Sequence, residues 1–327
     1  MPPQDPQQTD WDPRAPADLR GRVYLITGSN RGLGFFAAEQ LARAGARVIM
    51  TGRNPNRLTA ARAAIERRLT DAGLHADLET LLLDVGNLGS MRAAAATVRV
   101  RKKLDGLLLN AGIVHAPRHR ETTPDGHELV FATNVLGHFA LAGELLVHLA
   151  AARGRMVWIG SLSSALWRYD LSDPQLEKRY SGWRAYVQSK TAATALGFEA
   201  DRRLRAAGVP VSSVVAHPGY STSGRTPRIR GVNEPSRLGR FADNLQAPFT
   251  QSKERGAWPL VRALVDPAVE GGEFWGPRYL AHGAPTRQVS APLTRDAEVA
   301  ARIWEVCEAA TGVRWPFEKA AKTALRR

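Results

Sequence analysis

Tyr186 and Lys190 stand four residues apart in "YVQSK", a spacing that puts both side chains on one face of a helix. Together they suit proton transfer to an oxyanion. When hydride adds to a carbonyl carbon, the oxygen needs a proton, and a phenol with an ordinary pKa of about 10 gives it readily only if a nearby ammonium favours the tyrosinate. Such pairs are common on surface helices, so context decides what this one means. Ser161 ends the apolar run "RMVWIGS", and a hydroxyl at the carboxyl end of a strand lies where open α/β sheets bind ligands. From there it can hydrogen-bond a substrate oxygen. A serine, a histidine and an acid also suggest a hydrolase, but no G-x-S-x-G elbow surrounds Ser161 or any other serine.

These residues need a scaffold, and apolar runs alternate with segments of helical period in the manner of βαβ units. Seven runs read as strands: Val23 to Thr27, Arg47 to Gly52, Leu78 to Asp84, Leu104 to Gly112, Arg155 to Ser161, Val209 to Gly219 and Gly272 to Pro277. Most are apolar throughout, as strands covered on both faces must be. Helices are expected at Gly32 to Ala44, Asn56 to Ala72, Gly126 to Ala152 and Trp183 to Ala207. Right-handed crossovers then give a doubly wound, seven-stranded parallel sheet of Rossmann type in one domain spanning 19–327. The long polar stretch from Tyr220 to Ala247 is expected to serve as a lid.

The first strand runs into "TGSNRGLG", Thr27 to Gly34, which opens the first helix. Gly28, Gly32 and Gly34 let the backbone approach a pyrophosphate at a helix N-terminus, where free N–H groups and partial positive charge favour an anion. A T-G-x-x-x-G-x-G turn, followed in order by Asn134, Ser161 and the Tyr186/Lys190 pair, resembles the short-chain dehydrogenase/reductase superfamily from about Leu19 to at least Gly219. The resemblance implies a nicotinamide dinucleotide held at Gly28, Asn30, Arg31, Gly32, Leu33 and Gly34, with Asp84 and Val85 at the adenine. It implies that Asn110, Ala111 and Gly112 line the cofactor, and that Pro218, Gly219, Ser221 and Thr222 meet the carboxamide. Asn134, Ser161, Tyr186 and Lys190 match the family tetrad, in which Asn134 anchors a water in a proton relay through Lys190, and Lys190 also holds the ribose. Asp84 has a competing reading as a helix cap, and His217 reads as a packed strand-end residue.

Charge then selects the dinucleotide. The second strand ends in "MTGRN", with Arg53 where a carboxylate would suit the free 2′-hydroxyl of NAD. With Arg31, this favours NADP(H). The 25 positions from Ser161 to Tyr186 exceed the family's common core, and the insert resembles the retinol-dehydrogenase-like and protochlorophyllide-reductase-like branch, whose loop borders the substrate pocket. The segments 162–183 and 220–250 are therefore expected substrate loops. Trp167, Tyr169, Tyr180 and Trp183 form an apolar wall for a bulky ligand or merely pin the insert. The expected reaction is reduction of a carbonyl or its reverse; reduction of a conjugated C=C bond, or a dinucleotide-sensing scaffold without catalysis, are the alternatives.

Composition bounds the rest. The formal charge of +14 suits phosphate-bearing partners, yet only seven of the 45 basic residues are lysines and the arginines lie among alanines on helices. That is the pattern of solvated helix faces, so no nucleic-acid partner is expected. One cysteine, Cys307, allows no intrachain disulfide. Residues 1–18 lack the apolar core of a signal peptide and are expected to be a flexible tail. No membrane span is expected, the chain reads as cytoplasmic, and the superfamily's pairing helices point to a homodimer or tetramer, with a monomer left open by the insert.

Overall fold

The computed structural model describes residues 11–12, 17–165 and 169–325. Along each central strand, successive side chains fall into different cores. Tyr24, Ile26, Val48, Met50, Leu108, Val157 and Val214 join one apolar cluster, while Leu25, Ile49, Leu107, Leu109, Met156, Trp158 and Val215 join the other. Side chains alternate across a strand, so two covered faces demand apolar residues at every position.

The strands are β1 (Val23–Ile26), β2 (Arg47–Gly52), β3 (Asp77–Leu82), β4 (Gly106–Leu109), β5 (Arg155–Ile159), β6 (Ser212–Ala216), β7 (Ser221–Thr222), β8 (Gln251–Ser252), β9 (Phe274–Pro277) and β10 (Pro285–Gln288). Eight form one sheet in the order β10-β9-β6-β5-β4-β1-β2-β3, and β7 pairs with β8 separately. The seven expected strands are all present and mutually parallel, but the expected count is corrected by β10, which adds antiparallel to β9. Its sequence, "PTRQ", offers no apolar run to signal a strand; it is recruited by the short turn after β9.

The long helices are α1 (Gly32–Arg43), α2 (Pro55–Thr70), α3 (Leu88–Arg99), α4 (Leu129–Ala152), α5 (Gly182–Ala206), α6 (Arg237–Leu245), α7 (Trp258–Val265), α8 (Ala297–Thr311) and α9 (Phe317–Leu325). Their starts are written in the sequence. Asn54, Asn87, Ser181 and Asp296 each accept a hydrogen bond from a first-turn N–H, each such cap contributing about 1 kcal/mol. Before α4 the two carboxylate oxygens of buried Glu128 take the N–H groups of Val130 and Phe131. Residues Ala132–Leu136 of α4 form a π-helical turn, a widening often found at functional sites.

By length and composition alone α4 is apolar enough to cross a membrane. In the fold, 78% of its most apolar window is buried. Trp11, inside the expected tail, packs on the body with its ring beneath the Arg262 guanidinium.

Candidate active site

Strand order reverses between β1 and β4, which opens a crevice beyond their carboxyl ends. Thr27 ties the two sides together. Its hydroxyl accepts from the N–H of Asn110 at 2.8 Å and of Ala111 at 2.9 Å. With both lone pairs engaged, its own proton goes to Nε2 of His138 at 2.9 Å rather than to the Leu108 carbonyl at 3.3 Å. That assignment puts the imidazole proton on Nδ1, facing the Asn134 carbonyl. Burial holds His138 neutral, its pKa pushed down to about 3. Thr27→Val keeps the shape but strands two buried N–H donors and an imidazole nitrogen, so a loss of about 3 kcal/mol in urea unfolding is expected; an unchanged midpoint would count against this hub.

The glycine turn closes on the same hub. Asn110 Nδ2 donates to the carbonyls of Thr27 and Gly28. A Cβ at Gly34 would lie 2.5 Å from Asn110 Nδ2 and 2.6 Å from the Gly28 carbonyl oxygen, and Gly28 has φ +67° with Ala111 Cα 2.9 Å from the position of a Cβ. Only glycine fits either place. At the N-terminus of α1 no side chain caps the backbone and no acid stands in the first turn. Asn30 sits against Gly52, its Oδ1 3.2 Å from where a Cβ would be, so Arg31 and Arg53 extend from two adjoining segments. Both are exposed, and neither has an ion-pair partner among the described residues. Leu33 is half-buried beside Gly256.

Of two further groups here, Thr222 is expected from the sequence and Lys253 has no sequence signal. Lys253, in the short helix Lys253–Gly256 after β8, lays its side chain over Gly32, with Cδ 3.9 Å from the position of a Cβ there. Its Nζ donates to the Ser223 hydroxyl at 2.6 Å. Burial and the Arg31 charge both disfavour its ammonium, Asp243 only partly opposing them. Thr222 is buried, and its Oγ1 has no partner among the described residues. A stranded buried hydroxyl is costly unless a ligand satisfies it. The bare helix end, the glycine cradle, the unpaired cations and this hydroxyl all fit a dinucleotide.

Across the crevice, Ser161 follows β5 directly. Its Oγ accepts from the Ser163 hydroxyl at 2.8 Å and backbone N–H at 3.2 Å, and Tyr186 Oη donates to it at 3.4 Å. Its own hydroxyl proton therefore remains available. Lys190, one turn along α5, is buried and donates to the Ile159 carbonyl at 3.0 Å. Burial pushes its pKa down to about 8. The expected lowering of Tyr186 by Lys190 is not what the chain's own groups produce, because burial raises the phenol and the hydroxyls of Ser161 and Ser163 only oppose it. Asn134 lies in the π turn, and its amide is engaged on all sides: Nδ2 donates to the Ile113 carbonyl and Ser189 hydroxyl, and Oδ1 accepts the Ile113 N–H. That leaves its main-chain carbonyl, not its side chain, to meet anything in a relay.

Other expected residues divide. Asp84 is not the helix cap that its competing reading made it, because Asn87 caps the helix that follows; its Oδ1 accepts the Gly86 N–H in a local turn while its own N–H donates to the Ser90 hydroxyl. Val85 is buried in the core, and Gly112 lies within 3.0 Å of Asn134 Oδ1, measured from the position of a Cβ. Pro218 offers its carbonyl to Ser221 Oγ and Gln251 Nε2, so the Ser221 hydroxyl is already used. His217 is packed as expected: Nδ1 accepts the Gly219 N–H, Nε2 faces Gln288, the ring stacks on Phe274, and burial takes its pKa to about 4. The aromatic wall largely dissolves. Tyr169 is buried in the main core and Tyr180 is pinned to the Pro117 carbonyl, while Trp167 lies outside the described residues. Trp183, 52% exposed, stands 6.4 Å from the Tyr186 ring. Gln188 on α5 holds the insert down through Asp170, Asp173 and Pro174.

A mostly parallel sheet with a glycine turn at its switch point and a Ser/Tyr/Lys cluster at its carboxyl edge defines a dinucleotide-dependent oxidoreductase. The sequence profile of the short-chain dehydrogenase family matches residues 22–230, and the chain belongs to that family, as an oxidoreductase acting on alcohol/carbonyl groups. Within it, the chain falls in the retinol-dehydrogenase-like branch. The chain is 33% identical over 301 residues to polyprenol dehydrogenase of Mus musculus, covering 90% of this chain and 85% of the relative. It is 32% identical over 314 residues to retinol dehydrogenase 13 of Homo sapiens, covering 92% and 87%. A crystal structure of an uncharacterised Mycobacterium paratuberculosis protein superposes with TM-score 0.75 at 32% identity, covering 94% of this chain and 99% of that one.

Proposed function

We propose that the protein interconverts a bulky apolar ketone or aldehyde and its alcohol with NADP(H). The observation that carries this is the meeting of Ser161, Tyr186 and Lys190 on one edge of the crevice with an uncapped glycine turn on the other. The nicotinamide, when bound, gives or takes the hydride. Ser161 directs its free proton at the substrate oxygen and orients it. Tyr186 donates its phenolic proton to that oxygen in reduction and takes it back in oxidation; with its pKa raised, it is held as the acid form at neutral pH. Lys190 holds the ribose hydroxyls, and Asn134 fixes Ile113 and α5 through Ser189 so that the pair keeps its spacing.

Arg31 and Arg53 take the 2′-phosphate, with the pyrophosphate between the α1 N-terminus and Lys253 and with Thr222 Oγ1 on the cofactor. Asp84, Val85 and Asn110 to Gly112 border the adenosine side, and Pro218 and Gly219 the nicotinamide side. An apolar substrate is supported by exposed Trp183 beside the Tyr186 ring and by the alcohols that name the relatives, retinol and polyprenol.

Titration with NADPH and NADH, read by tryptophan fluorescence, tests the cofactor. Tight NADPH and weak NADH binding is expected. Arg31→Ala and Arg53→Ala should each weaken NADPH by about tenfold, the value of one charge-assisted contact, and leave NADH unchanged. Lys253→Ala should weaken both equally. NADH binding as tightly as NADPH would overturn the arginine assignment.

A further inference from the structure

Helix α6 is mounted the wrong way round for a surface helix. An amphipathic helix normally turns its apolar stripe to the body. Here Asp243, on the opposite side, accepts the Gly224 N–H, and the backbone at Arg240 and the Asp243 Cβ pack against Gly224. The apolar side faces out: Leu238, Phe241 and Leu245, spaced to share one face, are 78%, 62% and 70% exposed, and Phe249 in the next turn is 70% exposed. Nothing in α6 is buried. The apolar ground continues to the mouth of the site. Tyr220 Oη donates to Gln246, just past α6, and the Tyr220 N–H donates to the Ala281 carbonyl of the β9–β10 turn. In that turn Tyr279 and Leu280 are exposed, and Leu280 holds φ +62°, a left-handed conformation that leucine adopts at a cost.

Charge says what covers this face. Between Arg225 and Arg240 the chain has five arginines and one glutamate, and Arg225, Arg228, Arg230, Arg237 and Arg240 are all exposed. Some arginines elsewhere share a carboxylate, Arg43 and Arg68 on Glu39 and Arg202 and Arg203 on Glu199. Among the described residues none of these five has an ion-pair partner. An exposed apolar helix face flanked by unpaired arginines is the pattern of a segment lying in the interface of an anionic bilayer.

We infer that α6, Phe249 and the Tyr279–Leu280 turn dock this protein on the surface of an anionic lipid membrane, with the site mouth at Tyr220 against the lipid. Docking itself does not depend on the catalytic reading. Should that reading hold, an apolar substrate would enter from the bilayer without crossing water.

The test is sedimentation with vesicles of phosphatidylcholine alone or with about one-third phosphatidylserine. Binding to the anionic vesicles is expected to exceed that to neutral ones by at least about tenfold and to weaken in high salt. The double variant Leu238→Asp/Phe241→Asp should lose vesicle binding while its NADPH titration stays at wild-type affinity, which shows the fold intact. Arg228→Gln/Arg237→Gln should lose only the preference for anionic lipid. Equal binding to both vesicle types, or retained binding by the aspartate variant, would overturn the inference. So would a wild-type dimer made monomeric by that variant in light scattering, which would assign the face to a second copy. A raised KM for a water-soluble ketone with vesicle binding unchanged would make α6 a cover for the substrate instead.

Discussion

Tyr186→Phe is expected to lower kcat/KM for carbonyl reduction by about a thousandfold, within the range for loss of a general acid, while NADPH binds with its wild-type affinity. The substitution removes one oxygen. That oxygen donates to Ser161 Oγ and is the only phenol at the carboxyl edge of β5 among the described residues placed at the cleft. The ring itself keeps its packing beside Trp183, so the binding titration should not move. A variant that turns over normally would remove the proposed proton donor and leave the cofactor fold without an assigned chemistry. Ser161→Ala, which removes the hydroxyl but spares the phenol, should cost less, by about a hundredfold.

The second large effect is in the pH profile and at Lys190. Burial lowers the Lys190 pKa to about 8, so the ammonium is fully present below that value and is lost as pH rises through it. With Lys190 holding the ribose, kcat/KM for NADPH, which reports the free enzyme, should be flat below about pH 8 and fall above it. Stability should move in the other direction. The unfolded lysine keeps its proton to higher pH than the folded one, so between the two pKa values the unfolded state binds more protons and the fold gains stability as pH rises. Falling activity with rising urea midpoint over the same range separates this titration from alkaline unfolding. Lys190→Met should lower kcat/KM by about a hundredfold or more and abolish the break, because a buried apolar chain of similar length neither holds the ribose nor titrates. A break near pH 8 that survives in Lys190→Met would assign it to another group.

Much of this was legible in the residues. The two-faced sheet follows from runs apolar at every position, the helix starts from Asn54, Asn87, Ser181 and Asp296, and the crevice from a glycine turn between strand and helix. Tyr186 and Lys190 needed only the helical repeat to be placed on one face. These are local rules, in which a residue's neighbours in sequence are its neighbours in space.

The tertiary structure alone decided what depends on residues far apart in the chain. Lys253 reaches Gly32 and Thr222 loses its hydrogen-bond partner only because the segment after β6 folds back over α1. The direction of the Tyr186 shift depends on burial, which no spacing reveals. Tyr169 and Tyr180 went to the core and to Pro117 rather than to a substrate wall, because the insert is held by Gln188 across more than ten residues. For α6, the sequence sets an apolar stripe, but only its seating on Gly224 through Asp243 turns that stripe outward. Sequence periodicity fixes which residues share a face; long-range packing fixes where the face points.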